Sequence, residues 1–284
     1  MSSLLAAIKN IIKNPVTDLI TYSKGNNRAN NMGSALETYI KDVFCHSFHK
    51  TNPEKDDLYS QTFSYIGNLN NPPDIIIKNS DAVEIKKIES ISSALALNSS
   101  YPKDVLHSHD PRITHSCQSC EETPWKQKDV LYTVGISPKG TQKLKIIWFV
   151  YGNCYAANQE TYKRMSDKIT NGINEISDIE LSQTKELAKV KKIDPLGITD
   201  LRVRGMWHIE NPLKVFKDIA PVDEKSQFTL HALMLEEKYN SFEKKDREAL
   251  EKIQNENFVI KNVSIKSPNN PAKLLKARLI SYVQ

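Results

Sequence analysis

The segment NPPDIIIKNSDAVEIKKIES, residues 71–90, constrains the fold of this chain more than any other stretch. Two short runs rich in β-branched residues flank Asn-Ser-Asp at 79–81, a pattern typical of a β-hairpin. Alternation along the second run puts Glu84 and Lys86 on one face of the strand. The first run is continuously apolar, as in a buried strand. The two charges therefore either face solvent on a half-exposed hairpin or point into a working cleft.

Length and composition bound the class of protein. The chain has 284 residues, 39% of them hydrophobic and 26% charged, which is compatible with a core and a polar surface. Because we find no internal repeat and no Gly/Ser linker, we expect a single domain over 1–284. No stretch approaches the roughly 18 apolar residues of a membrane span. The net charge of +5 permits an anionic partner such as nucleic acid without requiring one.

The N-terminus and the cysteines predict a cytoplasmic protein. Residues 1–14 carry apolar side chains at helical spacing and stop at Asn14-Pro15, which indicates a core helix and not a signal peptide. Four cysteines are too few for a disulfide scaffold in a chain of this size. We therefore expect a reducing compartment, the cytoplasm.

The periodicity of apolar residues predicts the order of the secondary-structure elements. The expected elements are a helix over 1–14, a helix after Asn30-Asn31, the hairpin, a polar loop over 99–127, strands at 130–136 and 144–151, a helix carrying Met165 to Ile176, a strand near 228–235, a charged helix over 243–255 and a strand near 276–282. This order indicates an α/β fold with a mixed central β-sheet flanked by helices.

The charges of the hairpin suit metal-assisted hydrolysis of a phosphodiester. A divalent cation such as magnesium takes carboxylate oxygens, and hydrolysis needs an oriented water and a neutralised leaving oxygen. Asp74 and Glu84 would hold the metal with the backbone carbonyl of Ile85, and Lys86 would orient the water or stabilise the transition state. Other acidic residues also stand two positions before a lysine, so a solvated hairpin face remains the alternative.

Glu37 is a candidate third acidic group. On the second predicted helix it lies close to Ile40 and Phe44 in angular position, at the border of the stripe that faces the core. A buried lone carboxylate is costly unless it is paired or binds a metal. Glu37 therefore either joins the metal site or reaches solvent from the edge of the stripe.

Longer segments of the chain resemble the NgoPII-type family of type II restriction endonucleases, within the PD-(D/E)xK nuclease superfamily. The resemblance covers nearly the whole length. It is carried by GNNRANNMGSALETYIKDVF (25–44), FSYIGNLNNPPD (63–74), AVEIKKIES (82–90), SALALNSSYPK (93–103), IDPLGITDLRVRGMWHIENP (193–212) and NPAKLLKARLISY (270–282).

The resemblance implies a Mg²⁺-dependent enzyme that cuts both strands of duplex DNA at a short palindrome, GGCC. It also implies a homodimer and a methyltransferase that protects host DNA at the same site. Asp74, Glu84 and Lys86 match the superfamily motif position by position, and Glu37 matches an acidic residue often found on its first core helix. The implied fold is a restriction-endonuclease-like core, roughly 25–155, with DNA-recognition elements in 156–284.

Metal-assisted in-line attack that expels the 3′ oxygen would leave 5′-phosphate and 3′-hydroxyl ends. Two alternatives remain open at this point. One is a repair or junction nuclease of the same superfamily that recognises DNA shape. The other is a DNA-binding protein without catalysis.

Several polar residues are candidates for contact with DNA. Arg202 and Arg204 lie on one side of an extended segment, where guanidinium forks could meet the N7 and O6 acceptors of guanine or clamp phosphates. The remaining candidates are Trp207, Asn98, Ser99, Ser100, Lys103, Asn27, Arg28 and Asn30. An ordinary polar loop over 98–103 and helix capping by the asparagines are the alternatives.

The cysteines and histidines between 107 and 120 raise the question of zinc. Cys117 and Cys120 form half of a structural zinc site, and nearby histidines would have to complete it. A flexible loop with free thiols is the competing interpretation. No histidine has an acidic context comparable to that of Lys86.

Overall fold

The computed structural model describes residues 2–15, 17–19, 22, 28–68, 71–184, 186–222 and 225–284, with the backbone alone for 28–32. Its elements in chain order are α1 (Leu4–Lys13), α2 (Arg28–Cys45), α3 (Asn52–Thr62), β1 (Phe63–Asn68), β2 (Asn71–Ile77), β3 (Ala82–Ile88), β4 (Leu95–Ala96), β5 (Val105–His107), α4 (His115–Gln118), β6 (Gln127–Ile136), β7 (Ile146–Tyr151), α5 (Gly152–Tyr155), α6 (Gln159–Asn174), β8 (Glu180–Leu181), β9 (Ala188–Lys191), β10 (Leu201–Val203), β11 (His208–Ile209), α7 (Pro212–Val215), β12 (Thr229–Leu235), α8 (Glu236–Ser241), α9 (Lys244–Glu251), β13 (Phe258–Lys266) and β14 (Leu274–Val283).

A large mixed sheet organises the fold and confirms the predicted α/β class. Among the described residues, nine strands join it in the order β1-β2-β3-β6-β7-β12-β14-β13, with β5 paired to β6. The pairs β3–β6 and β7–β12 are parallel, whereas the hairpin β2–β3 is antiparallel. Separate apolar cores cover the two faces of the sheet, and α1 and α2 contribute to one of them. Strand β7 is buried at every position because both of its faces are covered.

The N-terminal helix forms where the apolar spacing predicts it. In α1 the Ser3 side chain accepts a hydrogen bond from the backbone N–H of Ala6, and the helix ends at Lys13, before Asn14-Pro15. Helix α2, in contrast, begins at Arg28 and not after Asn31 as expected. Asparagine is tolerated in a first turn because backbone N–H groups there have no partner within the helix.

The C-terminal part of the chain completes the central sheet. Strands β12, β13 and β14 form its far edge, and β13 was not predicted from the sequence. Residues 99–127 are mostly irregular, as expected, but contain β5 and α4. None of the helices within the described ranges combines the length and apolar character that a bilayer crossing demands.

The segment 159–206 stands apart from the sheet. It contains α6 and a small sheet of β8, β9 and β10. Helix α6 forms where the apolar spacing predicts a helix, yet none of its residues is buried. Met165 and Ile169 are exposed instead. This segment therefore presents apolar side chains to the outside of the protein.

Candidate active site

The hairpin of β2 and β3 brings the predicted acidic residues together. The strands pair at Ile75 with Val83 and at Ile76 with Ala82. This pairing covers only the part of each strand that lies next to the turn. Beyond it, Oδ2 of Asp74 accepts a hydrogen bond from the backbone N–H of Ile85 at 2.5 Å. The carboxylate of Asp74 thus bridges the two strands at the open end of the hairpin.

Glu84 and Lys86 share one face of β3, as the alternation predicts. Their side chains form an ion pair, with 2.6 Å between Glu84 Oε1 and Lys86 Nζ. Both side chains are largely covered, at 15% and 23% exposure, whereas Val83 and Ile85 are buried on the other face. The pair does not lie on a freely solvated hairpin face, and it opens into a cleft.

Negative charge is in surplus at this site. Burial raises the pKa of Asp74 to about 7, the charges of Glu84 and Glu37 add to the increase, and Lys86 opposes it. Burial alone would lower the pKa of Lys86, but the neighbouring carboxylates Glu84, Asp74 and Glu37 raise it above its usual value. A cluster with more carboxylates than cations favours a bound cation.

Glu37 reaches the same neighbourhood from α2. It lines a cavity of about 120 Å³ together with Lys41, Asp74 and Ile85. It is half-buried, as its position at the border of the core-facing stripe predicts. Glu37 and Asp74 therefore line one cavity, and the charge of Glu37 contributes to the raised pKa of Asp74.

A cleft of about 750 Å³ contains the acid–lysine cluster and five of the ten predicted DNA-contacting residues. Its lining residues include Asp74, Glu84, Lys86, Asn98, Ser99, Ser100, Arg202 and Arg204. The small sheet of the segment 159–206 forms one wall, and the hairpin forms another. Residues more than 100 positions apart in the sequence thus share one polar cavity.

Arg202 and Arg204 share one carboxylate in the wall of the cleft. Arg202 donates from Nε to Glu186 Oε2 at 2.9 Å and from Nη2 to Glu186 Oε1 at 2.8 Å. Arg204 Nε lies 2.7 Å from the same Oε1. The hydrogen bond from Arg202 is the main cause that lowers the pKa of Glu186. Both arginines are more than half exposed and face the cavity.

Two of the residues predicted to contact DNA, Lys103 and Trp207, pack against other parts of the protein. Lys103 is only 6% exposed, its Nζ pairs with Asp110 Oδ2 at 2.5 Å, and it lies over the ring of Tyr101. Trp207 packs edge-on against Tyr101 and Tyr162. Lys103 is buried and paired, which argues against a phosphate contact. Trp207 is half-buried between aromatic rings, and its contact with DNA stays a prediction.

Other predictions lie outside what the structure describes. Asn27 is outside the described residues. Arg28 and Asn30 lie in the first turn of α2, and their side chains are not described. Their proposed contacts with DNA stay predictions.

Several residues of the cleft were not predicted from the sequence. Glu186, Arg112, Asn68 and Asn71 all line it. Arg112 lies in the polar loop over 99–127, and its positive charge was a signal for contact with DNA. Glu186 could not be predicted from the sequence, because its contact with the arginines depends on the pairing of β9 with β10.

The described residues contain no ligand set for a structural zinc ion. Cys117 is buried and Cys120 is half-buried, and both are free thiols. Over the part of the chain that the structure describes, no three His, Cys, Asp or Glu side chains are grouped so that they could hold a metal. The hairpin instead brings the carboxylates of Asp74 and Glu84 beside Lys86, and carboxylate oxygens suit a magnesium-like cation.

Comparisons with known proteins identify the family of the chain. A family model described as NgoPII restriction endonuclease matches residues 2–266. The chain is 45% identical over 280 residues, 99% of either chain, to the type II restriction enzyme NgoPII of Neisseria gonorrhoeae. No solved structure matches. Type II restriction endonucleases generally use a divalent metal ion. The chain therefore belongs to the NgoPII family: it is a type II restriction endonuclease, a site-specific deoxyribonuclease that acts on double-stranded DNA.

Proposed function

We propose that Asp74, Glu84 and Lys86 form the catalytic centre and that the metal is Mg²⁺. The observation that carries the proposal is the bridge from Asp74 to the N–H of Ile85 beside the Glu84–Lys86 ion pair, at the floor of a polar cleft. Asp74, Glu84 and the Ile85 carbonyl would hold the ion. When bound, Mg²⁺ supplies an activated water and neutralises the charge of the leaving oxygen.

The side chains of the protein contribute orientation and charge. Glu84 holds the ammonium group of Lys86, so this cation meets the attacked phosphate at a fixed position. Glu37 adds a third carboxylate to the surplus of negative charge.

The expected products carry 5′-phosphate and 3′-hydroxyl ends. We assign the hairpin, β6 and the helix of Glu37 to a PD-(D/E)xK core within a single domain over 1–284.

We infer that the walls of the cleft bind and read the DNA. Asn98, Ser99 and Ser100 share the cavity with the catalytic acids and suit hydrogen bonds to the scissile phosphate. Arg202 and Arg204 suit the major-groove edge of guanine. The proposed site is GGCC, and a methyltransferase of the same specificity would protect host DNA. The enzyme is expected to act in the cytoplasm.

A homodimer follows from the need to cut two antiparallel strands with one centre in each chain. The supporting feature is the apolar surface of 159–206. Among the described residues twelve large hydrophobic side chains are exposed, and eight of them lie in this segment. They are Met165, Ile169, Ile176, Ile193, Leu196, Ile198, Leu201 and Met206. An apolar surface of this kind marks an association site, and its continuity with the cleft favours a second copy of the chain.

The dimer is tested by the mass of the protein in solution. Ile169→Asp is expected to convert a dimer into a monomer and to replace double-strand cleavage with slow nicking. Leu274→Asp, at an exposed apolar residue outside 159–206, serves as the control and should leave the dimer intact. A dimeric Ile169→Asp variant would exclude this surface as the interface.

The catalytic proposal is tested by digesting a plasmid of known sequence with Mg²⁺, with Ca²⁺ and with EDTA. Discrete fragments that end within GGCC, obtained with Mg²⁺ alone, would support both metal and site. Discrete fragments at another palindrome would overturn GGCC and leave the centre intact. Cleavage in EDTA would overturn the metal mechanism.

A further inference from the structure

We propose that Glu186 is a positioning residue for sequence recognition, and that it aligns Arg202 and Arg204 for contact with guanine. The inference rests on the proposed reading role of these arginines and extends it to a residue that does not itself touch the DNA. One carboxylate receives both guanidinium groups, through three contacts of 2.7–2.9 Å. The side chain of Glu186 is 11% exposed, whereas the arginines are 59% and 64% exposed.

The number of donors allows the arginines to bind Glu186 and a base at the same time. A guanidinium carries five N–H donors in a planar fork. Arg202 uses its Nε–H and one Nη2–H on Glu186, which leaves three donors. Arg204 meets Glu186 through Nε, so the N–H groups of its two Nη atoms stay available. Guanine offers two acceptors, N7 and O6, and each arginine retains enough donors for both.

The arrangement also fixes the planes of both forks. The two-point contact from Arg202 to one carboxylate defines the orientation of its guanidinium. Arg204 shares Oε1 with Arg202, so the separation of the two forks is set by a single group. Preorganised donors lose less conformational freedom on binding than free side chains do. The arginine side chains cannot rearrange to bind a base whose acceptors do not match this fixed pattern of donors.

A purely structural role accounts poorly for a carboxylate at this place. Both arginine partners are more than half exposed, and ion pairs with such exposed partners stabilise a fold little. A lone acid in a DNA cleft would repel phosphates. Two arginines around one glutamate leave a net positive charge, which keeps this wall of the cleft attractive to DNA. The role that best explains a carboxylate in this cleft is to hold the guanidinium groups of the two arginines in place.

The experiment compares Glu186→Gln with the wild-type enzyme. The readout is the ratio of kcat/KM on the duplex that the wild type cuts fastest to kcat/KM on the same duplex with one G·C pair replaced by A·T. We expect the ratio to fall about tenfold, the order of one bidentate base contact, with an unchanged melting temperature. Glu180→Gln is the matched control, because Glu180 pairs with Lys192 in the same small sheet without lining the cleft.

A second comparison tests whether Glu186 acts through the arginines. In the Arg202→Ala/Arg204→Ala background, Glu186→Gln is expected to cause no further loss of discrimination. A further loss there would overturn the inference and assign Glu186 a contact of its own. If the double variant loses discrimination and Glu186→Gln does not, the inference falls and the reading role of the arginines stands. If the double variant keeps full discrimination, the reading role falls as well.

Discussion

Two clusters of carboxylates and lysine occupy opposite ends of the same hairpin, and they serve different purposes. At the open end, Asp74 and Glu84 share Lys86. At the turn end, Lys238 lies 2.6 Å from both Asp81 and Asp129. The residue types are the same. The difference lies in how the carboxylate oxygens find their partners.

The cluster at the turn end is closed by protein groups. Asp81 is almost fully buried; its Oδ1 accepts from Lys238 and its Oδ2 from the hydroxyl of Tyr151 at 2.6 Å. The open cluster lines a cleft and carries a surplus of negative charge. A closed set of hydrogen bonds fixes the hairpin, whereas an open set attracts a cation and substrate. The sequence pattern of acid and lysine does not separate the two cases.

The largest expected effect is on catalysis at the open cluster. Lys86→Ala should reduce single-turnover cleavage about a thousandfold or more, because a preorganised charge at the reacting phosphate is lost. Binding to DNA in Ca²⁺ should remain, as measured by gel shift. Lys87→Ala is the control, since Lys87 lies next to Lys86 on β3 but pairs with Glu89, just beyond the end of the strand. Equal losses in the two variants would contradict the assigned role of Lys86.

The next largest effect is on stability at the closed cluster. Lys238→Met leaves Asp81 and Asp129 without their shared cation and should reduce the free energy of unfolding by about 3–5 kcal/mol. Lys245→Met provides the comparison, because its pair with Glu243 is exposed and should contribute little. Urea unfolding measures both. A small effect of Lys238→Met would mean that the two clusters do not differ as described.

Removal of a carboxylate from the open cluster should stabilise the metal-free protein. Asp74→Asn relieves repulsion and keeps an oxygen for the N–H of Ile85, so the free energy of unfolding should rise by about 2 kcal/mol at pH 8. The native pKa of Asp74 is raised, to about 7, above its unfolded value. The gain is therefore full above pH 7 and disappears as the pH falls toward about 4.

Urea unfolding in EDTA at several pH values would measure this gain. Asp167→Asn is the control, because Asp167 forms an exposed pair with Lys163 and its replacement should change the free energy of unfolding little. Destabilisation by Asp74→Asn at pH 8 would show that the open cluster is internally satisfied.

The smallest effect concerns the metal itself. Mg²⁺ at ten times its dissociation constant should stabilise the wild-type enzyme by about 1.4 kcal/mol, since it binds the folded state alone. Glu84→Gln should lose this increase in melting temperature, and Lys238→Met should retain it. A Glu84→Gln variant with an unchanged response to Mg²⁺ would move the metal away from the hairpin.

The part of the site that could be predicted is local in sequence. Asp74, Glu84 and Lys86 lie within one hairpin, so alternation and a turn signal sufficed to bring them together. Strands β6 and β7 and helix α6 likewise followed from periodicity. Periodicity did not predict the environment of α6. Its apolar face is exposed and is not part of the core.

The rest depended on pairings between distant segments. The contact of Glu186 with the arginines requires the register of β9 against β10. The burial of Lys103 requires Asp110, and the packing of Trp207 requires Tyr162. A lysine or tryptophan in a polar segment looks available for DNA until its neighbours in space are known. Composition alone could not distinguish Lys103 from the exposed cations of the cleft.

The ion pair between Asp81 and Lys238 also bears on how the enzyme is assembled. It joins residues 157 positions apart, and the loop that must close before it forms is correspondingly long. Contacts of such separation form slowly compared with local ones. The hairpin to which we assign the nuclease chemistry can form early, yet Lys238 fixes its turn only after α8 has docked. Firm placement of the proposed catalytic acids thus depends on sequence that is synthesised 157 positions after the turn of the hairpin.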